Sequence, residues 1–195
     1  MSKARLKSVK AWVPASAGMS GGGWVNRRGL LAYALAIAVI LADQISKHWV
    51  LFVYGLPQRG TVEVAPFFSL SMVWNRGVSF GVFQAESDWG RWGLALFSGV
   101  VAVALVVWAR RAERPFLAVA LGLVIGGAVG NLIDRVRFGA VADFLDFSRL
   151  YFPWVFNVAD SAITIGVLLL VLDSFKPSHP KAGMDAPLRP ESGVG

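Results

Sequence analysis

Long apolar segments separated by polar ones occupy most of the chain. Four of them run from Leu30 to about Val53, from about Trp92 to Ala109, from Phe116 to about Ile133, and from about Val158 to Leu172. A helix needs about 20 mostly apolar residues to cross a hydrocarbon core of about 30 Å. The first three segments fit directly, and the fourth fits if it extends from about Phe156 to Phe175. The pattern predicts an all-α membrane protein with four transmembrane helices.

Two polar connections are too long to be simple turns. The first, at about 54–91, contains runs rich in β-branched and aromatic residues, Thr61 to Val64 and Phe67 to Trp74, broken by prolines and glycines. Such runs are typical of short strands, so a small β-rich subdomain is expected on one membrane face. The second connection, Val136 to Phe156, carries two aspartates and an aromatic cluster and is interpreted as a loop.

The ends of the chain differ from its middle. Residues 1–29 are polar, basic and rich in Gly and Ser, and residues 176–195 are rich in proline. Neither stretch has the apolar residues needed for a core, so both are predicted to be flexible tails. Residues 30–175 are then the single folded domain.

Composition narrows the possible chemistry. The chain is 55% hydrophobic and only 16% charged, and it has no cysteine and two histidines. A thiolate metal site and a cysteine nucleophile are thereby excluded, and a multi-histidine metal site nearly so. No cofactor or metal is predicted.

The net charge of +7 is explained by membrane topology. The N-terminal tail, the loop between the second and third apolar segments, and the C-terminal stretch from Asp173 onwards hold 12 of the 19 Lys and Arg but only four of the 12 acidic residues, so they carry +8 and the rest −1. Basic residues accumulate on the cytoplasmic side of membrane proteins. Both termini are therefore expected in the cytoplasm, and no nucleic-acid partner is needed to explain the charge.

Ionisable residues at membrane depth are energetically costly and are functional candidates by default. Asp43 and Lys47 are spaced i, i+4 in the first apolar segment and can pair on one helix face. The pair could equally be purely structural. Asn131 and Arg135 have the same spacing and lie at the end of the third segment, where they could together hold an anionic or carbonyl group. Arg135 could instead only extend its charged group to the membrane–water interface. The small residues before them, Gly126 to Gly130, predict close helix packing.

Three further aspartates and an asparagine surround the start of the fourth segment. Asp143 and Asp146 lie in the second connection, Asn157 follows, and Asp160 begins the apolar span. Asp160 could be an N-cap, and Asp146 a solvated loop carboxylate. Two carboxylates that share one proton can also hydrolyse a peptide, one as general base on water and the other as general acid. The metal-binding H-E-x-x-H motif is absent from the sequence, which argues against a zinc hydrolase. Neither of the two histidines is convincingly placed opposite a serine, which argues against a serine hydrolase.

Five elements in order give the chain a family resemblance: it resembles the bacterial lipoprotein signal peptidases, or type II signal peptidases, over about Leu30 to Phe175. The elements are Asp43-Gln-Ile-Ser-Lys47, Asn75-Arg-Gly77-Val-Ser-Phe80-Gly81, Gly130-Asn131-Leu-Ile-Asp134-Arg135, Val141-Ala-Asp143-Phe144 and Phe156-Asn157-Val-Ala-Asp160. Val78 and Ser79 stand where the family commonly has alanines, which puts fine specificity in question but not the reaction.

The resemblance implies an intramembrane aspartic endopeptidase with Asp143 and Asp160 as the catalytic pair. It would cut diacylglyceryl-modified prolipoproteins before the lipidated cysteine, at the outer face of the bacterial inner membrane, and a monomer would suffice. A lid is expected within Pro57 to Gly90 or around Phe147 to Trp154. The implied support set around the substrate and the catalytic pair is Asn75, Gly77, Asn131, Arg135, Asn157, Asp43 and Lys47.

Two other classes of function remain open. A proton-relay or transport protein would use the buried Asp and Arg residues as an ion path, but the acidic residues cluster towards one surface. A structural membrane protein would use the same residues only to hold its helices together.

Overall fold

The computed structural model describes residues 25–77, 88–150 and 154–175. The helices are α1 (Arg27–His48), α2 (Leu56–Arg59), α3 (Asp88–Ala109), α4 (Pro115–Phe138) and α5 (Val158–Ser174), and the strands are β1 (Thr61–Ala65), β2 (Phe68–Asn75), β3 (Val141–Asp146) and β4 (Val155–Phe156). A π-helical segment, Trp49–Val53, prolongs α1. The prediction of a mainly helical protein with a small sheet is confirmed.

Three helices in the described part of the chain are long and apolar enough to cross a membrane: Arg27–Val53, Gly90–Ala109 and Pro115–Phe138. They match the first three predicted spans. Helix α5 has 17 residues, which at 1.5 Å per residue gives about 26 Å. It occupies the position of the fourth predicted span and is shorter than the other three, which have 27, 20 and 24 residues.

Helix α4 is the centre of the bundle, with α1 and α5 packed against it. Its glycines allow these close approaches. A Cβ added to Gly126 would lie 2.6 Å from the Cβ of Val39 on α1, and one added to Gly127 would lie 2.4 Å from the carbonyl oxygen of Ala159 on α5. Real Cβ atoms essentially never come this close, so the predicted role of these small residues in helix packing is confirmed.

One end of the bundle gathers the start of α1, the α3–α4 loop and the end of α5. Asn26 caps α1 by accepting from the backbone N–H of Gly29, and its Nδ2 donates to the carbonyl of Ala112 across 2.9 Å. Arg114 pairs with Asp173 at 3.3 Å. Helix α1 begins at Arg27, inside the segment predicted to be a tail, because this contact gives its first turn a partner.

The four-stranded antiparallel sheet lies at the opposite end, in the order β1-β2-β3-β4. Strands β1 and β2 fall in the predicted β-rich segment. Strands β3 and β4 come from the connection interpreted as a loop. Residues 141–144 are all buried, so β3 lacks the polar–apolar alternation by which a half-exposed strand is recognised. The sheet therefore joins both long connections at the end where α4 stops and α5 starts.

We expect Gly127→Ala to lower the unfolding temperature in detergent, because its Cβ would overlap the Ala159 carbonyl. Overpacking costs about 1–3 kcal/mol, more than the roughly 1 kcal/mol that alanine gains over glycine in a helix. Gly93→Ala on α3 is the matched control, since nothing lies within 4 Å of its new Cβ. Equal unfolding temperatures for the two variants would contradict the close α4–α5 packing.

Candidate functional site

Asp143 lies on β3 and is buried, only 2% exposed. Two amide side chains donate to its carboxylate. Asn157 Nδ2 lies 2.7 Å from Oδ1, and Asn75 Nδ2, from the paired strand β2, lies 3.1 Å from Oδ2. Gly77 orients Asn75, because its N–H donates to Asn75 Oδ1 at 3.1 Å in a turn where Gly77 has φ 150°.

Asp160 lies in the first turn of α5 and makes contacts of two kinds. Its Oδ1 accepts from Asn131 Nδ2 of α4 at 2.7 Å, and its Oδ2 accepts from the backbone N–H of Asn157 at 3.3 Å. Asn157 is the N-cap, and Asp160 completes a capping box with it. The alternative that Asp160 is the N-cap is therefore wrong, because Asn157 holds that position. Asp160 does support the helix start, through one of its two oxygens.

Asn157 links the two candidate aspartates. Its side chain donates to Asp143, while its backbone N–H donates to Asp160 and its Oδ1 accepts from the Asp160 N–H at 2.9 Å. Asn157 itself is fully buried. The structure therefore brings both aspartates, which come from different elements, onto one asparagine.

The two carboxyl groups of β3 have opposite electrostatic environments. Burial raises the pKa of Asp143 to about 7, and the negative charge of Asp160 contributes to the rise. The Ser71 hydroxyl, 2.6 Å from Asp146, is the main cause that lowers the pKa of that carboxyl. Asp146 also accepts from the Ser148 N–H at 2.9 Å. Asp146 is thus held by serines at the end of β3, whereas Asp143 has the environment of a proton-holding group.

Asp43 and Lys47 pair as expected, and a residue that sequence reasoning had assigned no role joins them. Lys47 Nζ lies 2.8 Å from Asp43 and 2.7 Å from Asp134, and all three side chains are at most 2% exposed. Gln44 Nε2 donates to Asp43 at 3.1 Å and to Asp134 at 3.0 Å. The signal available in the sequence was spacing, because Asp134 follows Asn131 by three residues and shares its helix face.

The remaining predicted residues are placed as follows. Arg135 is half-buried, its Nη1 lies 3.4 Å from the Asn131 carbonyl, and the charges of Asp160, Asp143 and Asp134 act on its guanidinium. Part of the second sequence element (Val78, Ser79, Phe80 and Gly81) and parts of both expected lid segments (78–87 and 151–153) lie outside the described residues.

Comparisons with known proteins all point to one family. The family model for signal peptidase (SPase) II matches residues 35–176. The lipoprotein signal peptidase of Caulobacter vibrioides is 53% identical, over 77% of this chain and 90% of its own, and that of Methylorubrum extorquens is 48% identical, over 78% and 88%. A solved structure of a bacterial membrane enzyme at 1.9 Å resolution has 29% identity and a TM-score of 0.65, covering 75% of this chain and 94% of its own.

We expect the carboxyl of Asp143 to titrate near pH 7, several units above an ordinary aspartate. Infrared spectroscopy of the purified protein should show a protonated-acid band that weakens as pH rises through 7 and is missing from Asp143→Asn. Asp146→Asn is the control and should keep the band, since the Asp146 carboxyl is ionised throughout this range. A band that persists in Asp143→Asn would assign the proton elsewhere.

Proposed function

The chain belongs to the signal peptidase II family of membrane proteases, and from this premise we propose that it removes signal peptides from prolipoproteins by an aspartic mechanism. The substrate would be a membrane-embedded precursor whose cysteine carries diacylglycerol, cut on the amino side of that cysteine. The observation that carries the mechanism is the pair of carboxylates, Asp143 and Asp160, joined through Asn157.

We assign the two aspartates different roles. Asp160, partly exposed, is the general base: it takes a proton from a water whose oxygen attacks the scissile carbonyl carbon. Asp143, whose pKa is raised to about 7, is the general acid and protonates the carbonyl oxygen. When the tetrahedral intermediate collapses, the carbon–nitrogen bond breaks, Asp160 passes the proton it took from water to the leaving amine of the cysteine, and a hydroxyl of the intermediate returns a proton to Asp143. The elements of water are then divided between the two products. The two aspartates, Asp143 and Asp160, here called the dyad, again hold one proton.

The amide groups around the dyad are consistent with these acid and base roles. Asn75 and Asn157 donate to Asp143, and Asn131 donates to Asp160. These donors hold each carboxyl group in one orientation, which is the positioning that general acid–base catalysis requires. Arg135 is half-buried next to the pair, and we assign its guanidinium to the substrate main chain.

An apolar groove between α3 and α4 suits a lipidated substrate. It has a volume of about 580 Å³ and is lined by apolar side chains that include Trp92, Leu96, Val100, Leu132 and Val136. It opens sideways from the bundle, and at Val136 it comes within two residues of the end of α4. A substrate that diffuses in the bilayer could place its apolar part here and extend its cleavage site towards β3.

We propose four spans, with α5 as the fourth, and both termini in the cytoplasm. The start of α1, the α3–α4 loop and the end of α5 meet at one end of the bundle, and this is the end with the excess of Lys and Arg. The sheet and the aspartates lie at the other end, which places the site at the outer face of the inner membrane.

The distribution of buried charge disfavours a proton relay. Within the described part of the chain, the buried charged side chains are Asp43, Lys47, Asp134 and Asp143. All belong to the sheet end of the bundle, so they form no path from one membrane face to the other.

We expect Asp143→Asn and Asp160→Asn each to reduce cleavage of a diacylglyceryl prolipoprotein by at least about 100-fold, the smaller effect typical of losing a general acid or base. The measurement is release of the signal peptide by the purified protein in detergent or vesicles. Asp146→Asn, a change of the same kind on the same strand, should retain most activity. Full cleavage by either dyad variant would refute the aspartic mechanism.

We expect the proposed orientation to be readable with single cysteines, because the chain has none of its own. Gln58→Cys, exposed near the sheet, should react with a membrane-impermeant thiol reagent in spheroplasts. Arg111→Cys, in the α3–α4 loop, and Ser174→Cys, at the end of α5, should react only after lysis. Labelling of Ser174→Cys before lysis would show that α5 does not cross the membrane.

A further inference from the structure

We propose that Asp43, Lys47 and Asp134, here called the ionic clamp, set the separation and orientation of the two aspartates, and that Asp134 is a positioning residue of the site. The proposal has a structural part, which concerns how the aspartates are held. Its effect on turnover rests on the proposed function.

Each carboxylate of the ionic clamp holds one backbone N–H. Asp134 Oδ2 accepts from the N–H of Ala142 at 3.1 Å, and Asp43 Oδ1 accepts from the N–H of Ala159 at 3.0 Å. Ala142 and Ala159 are both fully buried. Each is the residue directly before a candidate catalytic aspartate. The clamp therefore binds the backbone one residue before Asp143 and one residue before Asp160.

Lys47 connects the two carboxylates of the clamp. Its ammonium contacts Oδ2 of both carboxylates, at 2.8 and 2.7 Å, and Gln44 adds a neutral link between the same two groups. Lys47 and Gln44 come from α1, which supplies neither aspartate of the dyad. Strand β3 and helix α5 cannot move apart at this point without separating an ammonium from a carboxylate in a site closed to water.

The ionic clamp also orients an amide of the dyad. Lys47 Nζ lies 3.2 Å from Asn131 Oδ1, a contact that only an acceptor can make. Asn131 Nδ2 must then point the other way, where it donates to Asp160 at 2.7 Å. The positive charge of Lys47 therefore determines which atom of Asn131 faces the proposed general base.

The space around the clamp leaves it little freedom. A Cβ added to Gly130 would lie 2.6 Å from Asp43 Oδ2, and every buried side-chain nitrogen and oxygen among the described residues has a hydrogen-bond partner. Well-packed apolar side chains can replace a buried ion group with little loss of stability. They cannot accept from two specified backbone N–H groups, and this directional contact is what the charges provide here.

The test is Asp134→Asn, which keeps the size of the side chain and removes its charge. If the oxygen of the new amide faces Lys47 and Ala142, its NH₂ must face Gln44 Nε2, which is also a donor. The hydrogen bond to Gln44 is then lost. We expect kcat to fall about 10- to 100-fold, as for a small misplacement of catalytic groups, while KM changes by less than about threefold. In a plot of kcat/KM against pH, the alkaline limb should also move, because the distance between the two aspartates determines how they share the proton.

The groups that act on Asp143 are known from every packed element, so a shift of that limb can be interpreted. Asp160 of α5 and Lys47 of α1 act on it by charge, as does Arg135 of α4, while β2 contributes the uncharged Asn75. Asp134→Asn changes none of these side chains directly. It does remove a negative charge 2.7 Å from Lys47, which by itself moves the limb to lower pH. Gln44→Met changes no charge, so a moved limb in that variant reports a change in their arrangement.

Controls separate positioning from general stability. Asp173→Asn removes a carboxylate that pairs with Arg114 at the far end of the bundle and should leave kcat, KM and the limb unchanged. If Asp134→Asn folds poorly, Gln44→Met tests the same clamp through its neutral link. We expect kcat to fall about tenfold, because this change removes the donor to both clamp carboxylates. A variant with wild-type kcat and limb per folded molecule overturns the proposal, even if its unfolding temperature falls.

The experiment also separates failure of the ionic clamp from failure of the proposed function. Cleavage by the wild type that is lost in Asp143→Asn, together with an unaffected Asp134→Asn, would overturn the clamp alone. Absence of cleavage by the wild type would overturn the proposed function. The clamp is then judged by infrared titration of Asp143, whose midpoint should differ between the wild type and Gln44→Met, a variant that changes no charge; equal midpoints would overturn it.

Discussion

The ammonium of Lys47 lies between two carboxylates in a region from which water is excluded. Taking charges out of water is costly, and removing one partner of a buried pair typically costs about 3–5 kcal/mol because the other charge is left uncompensated. Helix α1 is therefore fixed against α4 at this depth. The first residues of β3 and α5 start from hydrogen bonds to the same carboxylates, so the arrangement of four elements at this end depends on one cation.

Close helix packing makes room for these charges. Apolar side chains give little driving force for association between helices in a bilayer, so contact surfaces rely on small residues and polar contacts. Helix α4 supplies both. Gly126 and Gly127 bring α1 and α5 against its backbone, and Gly130 leaves the volume that the Asp43 carboxylate occupies. Without these glycines, the carboxylate could not lie near both Lys47 and the start of α5.

The same burial gives the two aspartyl groups of β3 different chemistry. Asp143 faces inwards, away from water and towards Asp160, and its pKa rises to about 7. Asp146, three residues later, faces the other side of the strand, where the Ser71 hydroxyl stabilises its ionised form. The alternating directions of side chains along a strand are enough to separate a proton-holding carboxyl from a permanently charged one.

The sequence alone determined the features that depend on local chemistry. Helix positions followed from apolar length, and the candidates Asp143 and Asp160 came from motifs that resemble a known family. The charge distribution predicted that the two tails and the α3–α4 loop lie on one side of the membrane. The tertiary structure decided what depends on distant partners. Strand β3 is recognisable only when paired with β2, and Asp146 separates from Asp143 only through that strand. The roles of Asp134 and Gln44 appear only when α1 and α4 meet, because a buried charge has a function only once its partners are in place, and the Asp43–Ala159 contact joins residues 116 positions apart.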